Sequence, residues 1–355
     1  MQGIELSRRF YIEVVRPWLS SVAPELPYSA ALIGYGSELL GLDDEVSRDH
    51  NWGPRVHLFL DRGRFDEHAR RLVKAFSAVV PTHFLGEPIG WRSRPHPPAG
   101  GDEAAGALDH GLEIHTVEGT LERLLGVRSV DNVGPLQWLG FAEQRLLAFT
   151  GGAVFHDDGD RLTTARTVLA YFPDDVWLYK IACQWRRIAD EQAFVGRAGQ
   201  VGDDLGSRVI ASRLVRDVMR MAFLLDRRYA PYPKWFGSAF ARLPLSETLA
   251  PLLEKVLLAR QWQERGNALA AAYFALANRQ LADGIGAFEP VIGPYHDRPF
   301  TTINADDLSA AALRGIEHPL VKALPVVGSL DQVTDHTPVI EDPAAAQRMM
   351  IALLG

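Results

Sequence analysis

Residues 30–61 read AALIGYGSELLGLDDEVSRDHNWGPRVHLFLD. An apolar strand over Ala31 to Ile33 runs into a glycine turn, Gly34 and Gly36, followed by Ser37. A carboxylate-rich segment comes next. Then a second strand sends Val56, Leu58 and Leu60 one way and His57 and Phe59 the other, at the two-residue period of a strand. The layout suits phosphate and metal. Gly36 lets backbone approach an anion, and Ser37 with the amides behind it can hold phosphate oxygens. Asp49, at the mouth of the second strand, is the carboxylate placed to hold Mg²⁺ against those phosphates.

An apolar strand, Gly36-Ser37, about ten residues and then Asp49-His50-Asn51 leading into a strand resembles the nucleotidyltransferase superfamily typified by DNA polymerase beta and kanamycin nucleotidyltransferase. The longer string GSELLGLDDEVSRDHNWGPR, with YAPYPKWFG further on, is similar to an uncharacterised bacterial domain family near that superfamily. The resemblance implies a small mixed sheet with flanking helices. It also implies Mg²⁺ (or Mn²⁺) as cofactor, a nucleoside triphosphate as substrate, and an acceptor whose identity the residues leave open. Such enzymes carry two carboxylates one residue apart, because two metal ions need bridging ligands. Here the second position is Asn51, a neutral and weaker ligand, so the implied metal set is Asp49, Asn51 and a third carboxylate from a neighbouring strand. The candidate for that third carboxylate is Glu113, which with Asp49 forms the implied catalytic pair.

Composition sets the limits. With 355 residues, 47% hydrophobic and 23% charged, the chain can bury a full core and is expected to form two domains. A net charge of −7 disfavours extended nucleic-acid binding, which needs a basic face. The N-terminal residues interrupt their apolar positions with charges, and no apolar run is long enough to span a bilayer, so a cytoplasmic location is expected. A single cysteine, Cys183, excludes an internal disulfide and a cysteine-based zinc site, and reads as core filler.

Further along, Glu5 to Ser20 reads as an amphipathic helix with Phe10, Ile12, Val15 and Trp18 on one side, and Phe65 to Val80 as a second helix. Residues 91–110 lose apolar periodicity and fill with Pro and Gly, as loops do. The strand from Gly111 to Val117 puts Leu112 and Ile114 on one face and Glu113 and His115 on the other. Leu146 to Asp160 reads as a loop and closing strand. The expected fold is α+β: a nucleotidyltransferase-like domain over residues 1–165, then an α-helical bundle with an irregular C-terminal extension over 166–355. Bundle helices are expected over Trp177 to Phe194, Leu205 to Tyr229, Thr248 to Trp262 and Asn267 to Ala282, with a last one opened by Asp342 as cap and Pro343.

Other chemistry-bearing residues are ranked below these. Asp43, Asp44 and Glu45 read as a solvated turn, with Asp44 a reserve metal ligand, and His50 as a turn or core histidine. In the rigid Pro-rich turn Arg228 to Gly237, aromatic and cationic groups, Tyr232 and Lys234 among them, can stack a base and neutralise phosphate, or the turn can serve packing through Trp235 and Phe236. Lys180 and Arg186 are weaker phosphate candidates. Three functions stay open: nucleotide transfer to a hydroxyl with release of pyrophosphate, a non-catalytic nucleotide-binding module in which Asn51 has cost a metal, and a metal-dependent hydrolase built from Glu113 and His115 with His156 and Asp157.

Overall fold

The computed structural model describes residues 1–48, 52–89 and 110–355. The chain is α+β and divides into two units, one of residues 1–132 with 145–170, the other of 133–144 with 171–355. The helix Pro135–Gly140 thus belongs to the second unit, after which the chain returns to the first. Among the described residues no helix is long and apolar enough to cross a membrane.

The first unit is built on strands β1 (Ser29–Leu32), β2 (Val56–Phe59), β5 (Leu112–His115) and β6 (Ala153–Asp157), with a short hairpin of β3 (His83–Phe84) and β4 (Glu87–Pro88). The sheet runs β5-β2-β1-β6 and is mixed: β1 is antiparallel to both β2 and β6, and β2 is parallel to β5. A parallel pair needs a crossover, and the helix Arg62–Ser77 lies within it, capped by the Asp61 carboxylate, which accepts from the Arg64 amide at 3.0 Å. Val56, Leu58 and Leu60 from β2 and its end, with Leu112 and Ile114, pack against Leu6, Phe10, Val15, Leu72 and Phe76, so the alternation read from the sequence is the one the core uses. His57 and Phe59 on the opposite face are buried too.

Two expectations change. The opening helix runs from Gly3 to Val22 with a π turn at Tyr11–Val15, which rotates Ile12 to solvent and sends Tyr11 inward. Residues Glu143–Thr150 are helical rather than loop, and the strand begins at Ala153 after a Gly151-Gly152 turn. Gly152 sits at φ +68°, its Cα so close to the Leu32 carbonyl that any side chain would collide with it.

The second unit is mainly helical. Asp174–Glu191, Asp204–Leu225, Ser246–Leu258 and Trp262–Ala282 match the expected bundle helices. Leu214, Val218, Met221, Ala222 and Leu225 are buried, while Leu205 and Val209, although at helical spacing, face solvent. Cys183 is buried in the core. The C-terminal portion is more ordered than its composition implied: a hairpin of β7 (Ile292–Tyr295) and β8 (Arg298–Ile303), the helix Ala305–Arg314, and a last helix Pro343–Leu354 capped by Asp342.

Candidate functional site

Parallel pairing of β2 with β5 sets His57 opposite Glu113, and His115 follows two residues later on the same face as Glu113. His115 Nε2 lies 3.0 Å from Glu113 Oε2, His57 Nε2 lies 4.0 Å from Glu113 Oε1, and the two imidazoles meet edge to face at 5.5 Å. His57 is buried, whereas the Glu113 side chain is 61% exposed and that of His115 is 27% exposed. The cluster therefore opens to solvent on its β5 side.

Electrostatics divides the roles. Burial pushes the His57 imidazole down to about 3, an effect only partly opposed by Glu113, so the ring is neutral at physiological pH. The Glu113 carboxyl is held well below the usual carboxylate range, chiefly by the hydrogen bond with His115. An ionised carboxylate between a buried neutral imidazole and a half-exposed one is a donor set for a divalent cation.

Arg55, two residues before His57, pairs through its guanidinium with Glu38 and donates to the Tyr35 carbonyl at 2.9 Å. Glu38 is buried in the short helical turn that follows Ser37, and burial raises its pKa although Arg55 opposes this. The Gly36 turn thus encloses the chain's own carboxylate: a Cβ on Gly36 would run into the Glu38 carboxyl group. Ser37 is buried, and its hydroxyl donates to the Ser47 carbonyl at 3.1 Å. Neither Glu38 nor Arg55 was selected from the sequence, nor was His57, because their importance depends on tertiary pairing.

Asp49, His50 and Asn51 lie outside the described residues, as does the stretch 90–109. Asp44 accepts from the Val46 and Ser47 amides at 3.0 and 2.8 Å, a turn cap, as the sequence reading preferred. Asp43 accepts from the Gly3 amide at 2.7 Å and the Trp52 indole at 3.1 Å, tying down the opening helix. His156 and Asp157 do not join His115. They stand on β6, at the opposite edge of the sheet, about 14 Å away at ordinary strand spacing. His156 pairs with Asp158 at 3.1 Å, and Asp157 accepts from Ser29 Oγ at 2.5 Å and from Thr163. The cluster expected from these four residues is therefore not formed: only Glu113 and His115 come together, and the residue beside them is His57.

Tyr232 and Lys234 belong to the second unit. Tyr232 caps a helix that Pro233 opens, so the latter half of that segment is the first helical turn, with Lys234 exposed and its ammonium 5.0 Å from the Trp235 ring centroid. Lys180 is not a surface cation. It is fully buried, with Nζ 2.9 Å from both Glu143 Oε1 and Ser329 Oγ and 4.1 Å over the Phe172 ring, while Arg186 pairs with Asp190 and Asp306. Burial works to raise the Glu143 carboxyl, but Lys180, Arg220 and the Ala230 amide outweigh it and hold it low.

No curated protein matches the chain. Among solved structures, the chain is similar to a nucleotidyltransferase-like protein from Exiguobacterium sibiricum 255-15 at 12% identity, covering 82% of this chain and 83% of that one with a TM-score of 0.34. Residues 138–236, which include Glu143, β6, Lys180, Tyr232 and Lys234 but neither the Gly36 turn nor Glu113, match the model of an uncharacterised family, the domain of unknown function DUF4037.

Proposed function

We propose that the first unit carries a divalent-cation-dependent nucleotidyltransferase centre, moving a nucleotide from a nucleoside triphosphate to a hydroxyl with release of pyrophosphate. The observation that carries this reading is the placement of Glu113. Its strand lies directly beside β2, the strand that residues 49–51 lead into, and its carboxylate is ionised and open to solvent. That is where a third acidic group is needed to serve a triphosphate. Asp49, Asn51 and Glu113 would hold Mg²⁺ or Mn²⁺, which when bound neutralises phosphate charge and polarises the phosphoryl group under attack. Glu113, or another carboxylate of the site, would accept the proton of the acceptor hydroxyl. Because the Ser37 hydroxyl is engaged by Ser47, the turn's contribution to phosphate would come from its backbone amides.

Incubation of the protein with α-labelled nucleoside triphosphates, Mg²⁺ or Mn²⁺ and a cell extract tests this. Transfer of label to an acceptor, lowered by about 100-fold or more in Asp49→Asn, is expected. Nucleotide binding without turnover would replace it with a binding module in which Asn51 has cost the second metal. Release of labelled nucleotide to water alone would replace it with a hydrolase.

A further inference from the structure

We infer that His57, Glu113 and His115 form a binding site for a first-row transition-metal ion of the Zn²⁺, Co²⁺ or Mn²⁺ class, with coordination positions left open to solvent. The inference shares Glu113 with the proposed transfer reaction but does not rest on it.

One ligand atom from each of the three residues lies within 4.8 Å of the others. Around an ion with bonds of about 2.1 Å, neighbouring donors stand about 3 to 3.5 Å apart, so modest side-chain rotation closes the set. The His57–Glu113 separation of 4.0 Å decides between this and a plain hydrogen-bonded cluster. It is too long for a hydrogen bond, and no other hydrogen bond to the His57 ring is formed among the described residues. A buried imidazole aimed at a carboxylate it does not reach gains little from that geometry, whereas a cation between the two satisfies both. The exposed Glu113–His115 pair does not explain the cluster by stability either, since exposed pairs contribute about 1 kcal/mol or less.

The donor types choose the ion. Two imidazole nitrogens and one carboxylate oxygen suit borderline transition ions, while Mg²⁺ and Ca²⁺ prefer sets composed of oxygen. The backbone pre-organises the set: Glu113 and His115 share one face of β5, and parallel register locks His57 opposite Glu113, so all three come from two paired strands rather than from loops. Exposure of Glu113 on the β5 side leaves room for water or a substrate oxygen, as in sites that do chemistry rather than merely brace a fold.

The test uses tag-free, full-length protein stripped with chelator and titrated without nucleotide. Zn²⁺ binding is read by calorimetry and Co²⁺ binding by its visible ligand-field absorption, with Mg²⁺ in parallel. One equivalent of Zn²⁺ or Co²⁺ is expected at an affinity at least 100-fold above that for Mg²⁺. His115→Asn and Glu113→Gln, at positions open to solvent, should each weaken it at least 10-fold with unchanged circular dichroism. His57→Asn should do the same, but its burial makes folding a concern, so the decision rests on the other two. Absence of stoichiometric uptake, equal affinity in both exposed-site variants, or equal affinity for Mg²⁺ would overturn the site. Because no nucleotide is present, such failure would leave the transfer reaction to be judged by its own assay.

Discussion

The Arg55 guanidinium closes on the carboxylate of Glu38 inside the Gly36 turn, and both side chains are withdrawn from solvent. Glu38 Oε2 and Arg55 Nε each remain buried without a hydrogen bond, so the contact through Glu38 Oε1 is the main compensation for taking two charges out of water. This pair links the turn after β1 to the start of β2, and it sits two residues along the chain from His57.

Gly36→Val is expected to destabilise the first unit rather than to affect ligand binding alone. Gly36 has φ +148°, and a side chain there would displace the Glu38 carboxylate from Arg55. Strain and displacement together should cost about 1 to 3 kcal/mol, read by denaturant unfolding. Unchanged stability with loss of nucleotide affinity would instead mark the turn as a phosphate cradle.

Arg55→Met leaves Glu38 buried as an uncompensated anion, a change that typically costs about 3 to 5 kcal/mol at neutral pH. Burial already raises the Glu38 pKa, and a raised carboxyl is most favourable to folding below its unfolded pKa and loses that advantage as pH rises through its folded pKa. Without Arg55 the folded pKa rises further, so the penalty should shrink as pH falls toward 4. Unfolding free energies at pH 7 and near pH 4 check this, and Glu38→Gln in the same background should recover part of the loss at pH 7. An equal penalty at both pH values would show that the pair is not ionic.

His57 gives the first unit an acid-sensitive element. Its folded pKa is depressed to about 3, below an unfolded value of about 6.5, so between these values the unfolded chain binds the extra proton. Stability from this residue is therefore full above about pH 6.5 and is lost as pH falls toward 3, with a slope of up to about 1.4 kcal/mol per pH unit. His57→Gln should remove that component from the pH dependence of unfolding in metal-free protein. A profile unchanged by the substitution would place the acid sensitivity in other groups.

In the second unit, Lys180→Met should cost about 3 to 5 kcal/mol, because it strands the Glu143 carboxylate, which also accepts from the Ala230 amide at 2.8 Å. Adding Glu143→Gln should recover a substantial part. Thermal unfolding monitored by calorimetry distinguishes this from a surface role, for which Lys180→Met would shift the midpoint by about 1 °C or less.

Much of the architecture was legible in the residues. Alternation at Val56, Leu58 and Leu60 identified the core face of β2, alternation at Glu113 and His115 identified the open face of β5, and Asp342-Pro343 identified the start of the last helix. In the helix expected over Leu205 to Tyr229, Leu214, Val218, Met221, Ala222 and Leu225 are buried while Leu205 and Val209, at the same helical spacing, face solvent, because periodicity cannot say where a helix leaves its packing partner. Likewise the π turn at Tyr11–Val15 shifted which residues of the first helix face inward, since one extra residue in a turn rotates all that follow.

The sequence by itself determined the fold class, the turn at Gly36, the face on which Glu113 lies and the candidacy of Glu113 as an acidic ligand. These follow from period-two and period-3.6 patterns and from glycine chemistry, which act over a few neighbouring residues. Tertiary structure alone decided which partners those residues meet. Parallel register brought His57 to Glu113, strand order sent His156 to the far edge, and folding made Lys180 and Glu38 paired interior charges. Such pairings join residues far apart in the chain, His57 with Glu113 and Ser29 with Asp157 in the first unit, through a sheet whose order no local pattern encodes.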